Sequence, residues 1–210
     1  MLELDHLVVG AATLEQGVAY VRDALGVIMP FGGAHPLMGT HNHLMRLGGG
    51  AFLEVIAIDP ADAPARKRWF GLDDPETRAR LALSPRLIGW VARTLDLARA
   101  LREVKGARGE AIRVTRGELA WLIGVPADGS PPWDGAFPTL LEWPPGPLPA
   151  ARMADLGCRL SRLDIAHPRA TEIAANLADH LRDDRIAFTP AEGFAMRATI
   201  ETPLGPRELL

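Results

Sequence analysis

The order of elements in the first 58 residues returns, little changed, between residues 87 and 143, and this repetition constrains the fold more than any single motif. Leu2 to Gly10 (LELDHLVVG) alternates and is β-branched, so it reads as a strand with Leu2, Leu4, His6 and Val8 on one face. Thr13 is placed to cap a helix in which Leu14, Val18, Val21 and Leu25 share a stripe, and Gly26 stops it. A turn-rich stretch from Gly32 to Thr40 (GGAHPLMGT) leads into a strand from His41 to Leu47. The glycines at 48, 49 and 50 then turn the chain into an apolar strand, Phe52 to Ile58.

The second unit begins with Leu87 to Arg93 (LIGWVAR). Asp96 caps a helix, LARALREVKG, that runs to Gly106, and strands follow at Ala111–Thr115 and Leu119–Val125. After a proline- and glycine-broken stretch comes Thr139 to Trp143 (TLLEW). A shorter third version has a strand at Leu160–Ala166, a helix at Ala170–Leu181, and strands near Ile186–Thr189 and Ala195–Thr202. The expected organisation is an α+β protein of paired βαβββ modules, residues 1–59 and 86–146. A polar connector at 60–85 carries one short helix, Pro75 to Leu83, and a C-terminal βαββ half-module occupies 147–210.

At 210 residues the chain can bury a sizeable core. A net charge of −3 with interspersed signs gives no basic stripe, so nucleic acid is not an expected partner. The single cysteine, Cys158, excludes an intramolecular disulfide framework. No apolar run approaches the ~20 residues of a membrane span, and the expectation is a soluble, cytoplasmic protein. There is no G-x-S-x-G, P-loop or dinucleotide fingerprint, since the glycines at 48–50 join two strands rather than a strand and a helix.

One residue stands out chemically. Glu54 lies in the middle of an apolar strand, where an unmet carboxylate costs several kcal/mol. Glu142 repeats the pattern, with Leu141-Glu142 answering Leu53-Glu54. His35, His41 and His43 crowd a short segment, but on a strand His41 and His43 share one face and Asn42 takes the other. His35 is read as part of a Gly-rich loop able to close over a substrate. Trp90, Trp121 and Trp143 could line an apolar pocket, and Arg93 and Arg46 could grip a carboxylate.

The sequence resembles the glyoxalase-like domain family of the vicinal oxygen chelate superfamily. The resemblance rests on Leu4-Asp5-His6-Leu7-Val8, Gly32-Gly33-Ala34-His35-Pro36 with Gly39-Thr40-His41-Asn42, Phe52-Leu53-Glu54-Val55-Ile56, Gly89 to Thr94 and Leu141-Glu142-Trp143. It implies a cupped sheet holding one divalent metal (Fe, Mn, Ni or Zn), with His6, Glu54 and Glu142 as ligands and a metal-free cup as the alternative. The fourth ligand position falls at Gly89 or Trp90, which cannot ligate. That leaves a one-histidine, two-carboxylate set of the kind iron(II) or manganese accepts. The resemblance further implies an isomerase, lyase or dioxygenase acting on a small oxygenated metabolite. Glu54 or Glu142 would be the base, and His35, Asn42, Trp90, Arg93 and Trp121 would contact substrate. The alternative is a binding protein that sequesters a small hydrophobic ligand in the same cup. Either would work as a monomer or homodimer.

Overall fold

A computed structural model describes residues 1–64 and 66–210; residue 65, inside the stretch read as a connector, lies outside the described residues. The strands are β1 (Glu3–Gly10), β2 (Phe31–His35), β3 (Thr40–Gly48), β4 (Ala51–Ile58), β5 (Arg86–Arg93), β6 (Glu110–Arg116), β7 (Leu119–Val125), β8 (Thr139–Glu142), β9 (Arg159–His167), β10 (Ile186–Pro190), β11 (Ala195–Thr202) and β12 (Gly205–Leu209). The α-helices are α1 (Leu14–Leu25), α2 (Pro75–Leu83), α3 (Leu97–Glu103) and α4 (Ala170–Leu177).

The helix ends have identifiable causes. Thr13 accepts from the Gln16 N–H, Asp74 from Thr77 and Asp96 from Arg99, while Gly26, at φ 73°, turns the chain out of α1. All three glycines of the β3–β4 hairpin take positive φ (78°, 57° and 79°), a run that side chains with a Cβ would strain.

Eight strands form one curved sheet in the order β2-β3-β4-β1-β5-β8-β7-β6. The order is that of two like halves meeting where β1 and β5 pair antiparallel, each half placing its first strand at the centre. The outer strands β2 and β6 come together, so the sheet curls into a cup. Four strands, β10-β9-β11-β12, make a second sheet.

The alternation of each strand divides the interior in two. On the convex face Leu7, Val9, Leu53, Val55, Trp90, Ala92 and Leu140 pack with Val21 and Leu25 of α1, Leu97 of α3, and Leu163, Ile165 and Ala198 of the second sheet. Inside the cup Val8, Ile56, Val91, Val114, Trp121, Ile123 and Leu141 form a separate cluster, covered at one end by Trp69, Phe70, Leu72 and Leu81. Fully burying one such leucine or isoleucine is worth about 1.5–3 kcal/mol, so these two layers hold the sheet's curvature.

Four sequence expectations need correction. Gly32 and Gly33 belong to strand β2 rather than to a turn. The third helix of the sequence pattern stops at Glu103 and the last at Leu177, each short of the expected end. Gly205 opens an additional strand, β12, that completes the second sheet. Finally, β1 does not keep one alternation: a register shift between Leu4 and His6 sends Leu4 to the convex core, while His6 and Val8 stay on the cup side.

Candidate functional site

The irregularity in β1 shapes the centre of the cup. It brings neighbouring residues Asp5 and His6 together, and the His6 Nδ1–H donates to Asp5 Oδ1 at 2.7 Å. Asp5 is held in turn by the Trp143 indole, whose Nε1–H donates to Oδ2 at 2.7 Å. With Nδ1 engaged, His6 has Nε2 left for the cavity, and its ring lies flat on Phe52 with centroids 4.3 Å apart.

Opposite stands Glu54. Its Oε2 is 3.6 Å from His6 Nε2, too far for a hydrogen bond, and only 5% of the residue is exposed. The donor that makes this buried carboxylate tolerable is Asn42 on the adjoining strand, with Nδ2 2.6 Å from Oε1. The same amide nitrogen lies 3.4 Å from His35 Nε2. His35 Nε2 is therefore the acceptor and Nδ1 the donor, to Thr40 Oγ1 at 3.1 Å. Burial, helped by the Arg116 guanidinium, pulls the His35 pKa down to about 3, so this imidazole is neutral. Arg116 of β6 closes the ring of polar groups, with Nη1 3.4 Å from Asn42 Oδ1. Burial lowers its pKa too, and the Glu54 carboxylate opposes that pull.

The glycines at 32 and 33 acquire a reason here. A Cβ on Gly32 would collide with Asn42 Oδ1, and one on Gly33 would come within 2.7 Å of Arg116 Cδ. Both side chains reach the cup by lying across bare backbone. The cup closes on a cavity of only about 20 Å³, lined by His6, His35, Glu54, Arg116 and the rings of Phe52, Trp69, Trp121 and Trp143.

His6, His35, Asn42, Glu54 and Trp121 are thus brought together around one point. Trp90, Arg93 and Glu142 are not. Trp90 points to the convex core, where its Nε1–H donates to the Ala136 carbonyl. Arg93 donates to the carbonyls of Leu4 and Gly50, pairs with Glu3, and lies 3.7 Å from Asp5 Oδ2, a bracing role at the rim. Glu142 follows Leu141, which faces the cup, and therefore faces away; its Oε2 accepts the Leu97 N–H at 2.7 Å, at the first turn of α3. His35 sits buried at the end of β2, not in a covering loop. His41 faces Asp59 and His43 donates to the Met29 carbonyl, both outside the cup.

Sequence reasoning missed Asp5, Arg116 and Trp69. Asp5 beside His6 would have been legible as a pair only with the bulge known. Arg116, two residues after Val114, continues that strand's cup-facing alternation. Trp69 lies in a 3₁₀ turn with no periodic signature.

The residues do not fit a divalent metal. Three protein ligands are the usual minimum of a catalytic site. Among the described residues no group of three or more His, Cys, Asp and Glu could hold one. His6 and Glu54 are a pair without a third donor, since Asn42 and His35 engage each other and Glu142 points away. A guanidinium already supplies positive charge beside Glu54.

The model of a glyoxalase-like domain matches residues 4–181. The chain belongs to the glyoxalase-like domain family. A search of curated proteins returns no match. Among solved structures, a hypothetical protein from Staphylococcus aureus superposes with a TM-score of 0.60 at 11% identity, over 92% of this chain and 88% of that one. Methylmalonyl-CoA epimerase from Mycobacterium tuberculosis matches at 22% identity over 70% of this chain and 91% of its own, with a TM-score of 0.40. A variant of 4-hydroxymandelate synthase from Streptomyces coelicolor matches at 12% identity over 98% and 61%, with a TM-score of 0.44. The glyoxalase-like chain thus has the paired-module architecture of the vicinal oxygen chelate fold. A larger cleft, about 1320 Å³, lies elsewhere, between α2 and the second sheet, where Arg80, Asp73, Asp164 and Arg197 line it with mixed charge. The cup is the better candidate because its buried polar groups converge, whereas those of the cleft are spread over an open surface.

Proposed function

We propose that the cup binds the oxygen-bearing end of a small metabolite and moves a proton on it without a metal, as an isomerase or lyase. The observation that carries this reading is the Asp5–His6 pair set against Glu54. Asp5 fixes the imidazole tautomer, so Nε2 is the atom that takes and returns the proton. A carbon next to a carbonyl gives its proton to Nε2, and the bonding pair moves onto the carbonyl oxygen. Where the deprotonated carbon carries a hydroxyl, its O–H proton passes to the oxyanion and the Nε2 proton returns to the former carbonyl carbon, an isomerisation. Where the carbon on its other side carries a leaving group, the oxyanion pair folds back, a double bond forms between those two carbons and the group departs, an elimination. Glu54 stands on the other side as the second group able to hold a proton.

The developing oxyanion meets donors held in place before the reaction, which is where most electrostatic catalysis resides. Arg116 supplies a cation. The Trp69 indole N–H is buried in the cavity wall and has no acceptor among the described residues, so a bound oxygen would give it one. Both modules of one chain contribute to the cup, so a monomer suffices.

The test is exchange of carbon-bound hydrogen in D2O, followed by proton NMR over a panel of 2-hydroxy- and 2-oxocarboxylates. Exchange that survives EDTA and is lost in His6→Gln and Asp5→Asn supports the reading. Exchange abolished by EDTA and restored by a metal overturns it. The three tryptophans around the cavity favour one alternative, a binder without chemistry, which would show saturable tryptophan quenching and no exchange with any compound.

A further inference from the structure

A cavity of about 20 Å³ holds one water-sized group, so the cup alone cannot enclose a metabolite. The rest of the ligand must lie outside, and a groove of suitable size adjoins the cup. Arg116 and Trp143 line the cavity and also line a groove of about 440 Å³. That volume is within the range of roughly 300–1,000 Å³ usual for small-molecule sites.

The groove has a distinct chemistry. Phe31, Leu44, Leu119, Trp143, Pro147 and Met153 give it apolar walls. Phe31 is 61% exposed beside it, its ring set edge-on to His43 with centroids 5.6 Å apart. The floor comes from the proline-rich segment after β8, whose fixed φ angles make a wall that needs no ordering on binding. Only two charged residues line the groove, Arg116 and Arg152, and both are positive. Among the described residues neither arginine lies within 4.0 Å of a carboxylate. Arg116 is partly buried, and its one side-chain partner is the Asn42 amide oxygen at 3.4 Å. A guanidinium withdrawn from water with so weak a partner is a site for an anion.

We infer that the ligand is an anionic amphiphile: a carboxylate oxygenated at its second carbon, held at Arg116 with that oxygen in the cup, and carrying an alkyl or aryl body along the groove. This rests on the proton-transfer reading for where the head sits, and adds the class of molecule. The anion, the oxygen and the apolar body each have one complementary feature: the guanidinium, the Trp69 N–H with His6, and the Phe31–Met153 walls.

The experiment is a binding series read by tryptophan fluorescence and calorimetry, with 2-hydroxypropanoate, 2-hydroxyhexanoate and 2-hydroxyoctanoate, and octylamine as the cationic counterpart. Hydrogen exchange on the same compounds is measured separately. Each methylene buried in the groove should tighten binding about fourfold. The octanoate should therefore bind at least tenfold tighter than the propanoate, with octylamine much the weakest of the long-chain pair. Phe31→Ser, at a position exposed enough to spare the fold, should flatten the dependence on chain length. Arg116→Gln should weaken all three carboxylates, and circular dichroism confirms that it folds. Affinity independent of chain length, or octylamine binding as well as the octanoate, overturns the inference, even if exchange persists. A steep chain-length dependence without exchange upholds the ligand class and overturns the acid–base reading alone.

Discussion

Glu142 separates two accounts of this protein, because the superfamily pattern makes it a ligand while the structure makes it a helix cap. Its Oε2 accepts the Leu97 N–H at 2.7 Å, between a half-buried carboxylate and a fully buried residue. Removing the acceptor in Glu142→Ala forfeits a hydrogen bond to a charged group, about 1.5–3 kcal/mol. For a chain of this size each kcal/mol shifts Tm by about 2–4 °C, so near 2 kcal/mol the loss should be about 4–8 °C. Glu142→Gln keeps an acceptor and loses the charge at the positive end of α3, worth about 0.3–1 kcal/mol and a drop of roughly 1–4 °C. The assay is thermal unfolding by circular dichroism in low and high salt, alongside binding of 2-hydroxyoctanoate. Salt should narrow the gap between wild type and Glu142→Gln, as it screens the charge. Both variants should bind the ligand as wild type does once folded. Unchanged Tm with binding lost in Glu142→Gln would refute the cap and return Glu142 to the site.

Other outcomes follow from the same geometry. Gly33→Ala meets both a φ of 147° and the Arg116 stem at 2.7 Å, so it should lower Tm and weaken carboxylate binding together, measured by melting and fluorescence titration. His35 stays neutral in the folded state down to about pH 3, whereas in the unfolded chain it takes a proton near 6.5. The unfolded state therefore binds more protons between these values, and stability should fall by up to about 1.4 kcal/mol per pH unit as pH drops below 6.5. His35→Gln should make that acid limb shallower in urea titrations at pH 4–7, and an unchanged slope would remove His35 as its source. Asp5→Asn should cut exchange activity far more than ligand affinity, because the imidazole loses its fixed tautomer while the groove is reached only through the Trp143 indole that Asp5 holds.

Much of the architecture was legible because both modules obey simple rules: period-2 strands, side-chain caps at Thr13 and Asp96, and a glycine stop at Gly26. What escaped was decided by contacts distant in sequence. Gly32-Gly33 reads locally as a turn, yet it is a strand whose missing side chains make room for Asn42 and Arg116. Glu54 was conspicuous because charge is costly in an apolar strand; alternation set Asn42 on the face opposite His41 and His43, but only the pairing of the two strands makes it the partner of Glu54. Glu142 showed the same local pattern with the opposite outcome, since one residue of register decides which face of a sheet a side chain takes. Asp5 depended on a bulge and Trp69 on an aperiodic turn, neither of which periodicity can reveal.

The two halves that meet at β1 and β5 are alike in backbone and unlike in what they offer. Strands β1 to β4 bring His6, His35, Asn42 and Glu54, while β6 to β8 bring a hydrophobic wall and a single arginine. In the proposed reading, the groups that move the proton all come from one half, whereas the groove that takes the body of the ligand is walled by both. Substitutions at groove positions outside the cup, such as Phe31, Leu119 and Met153, can then change which molecules are admitted while leaving untouched the bond that is broken.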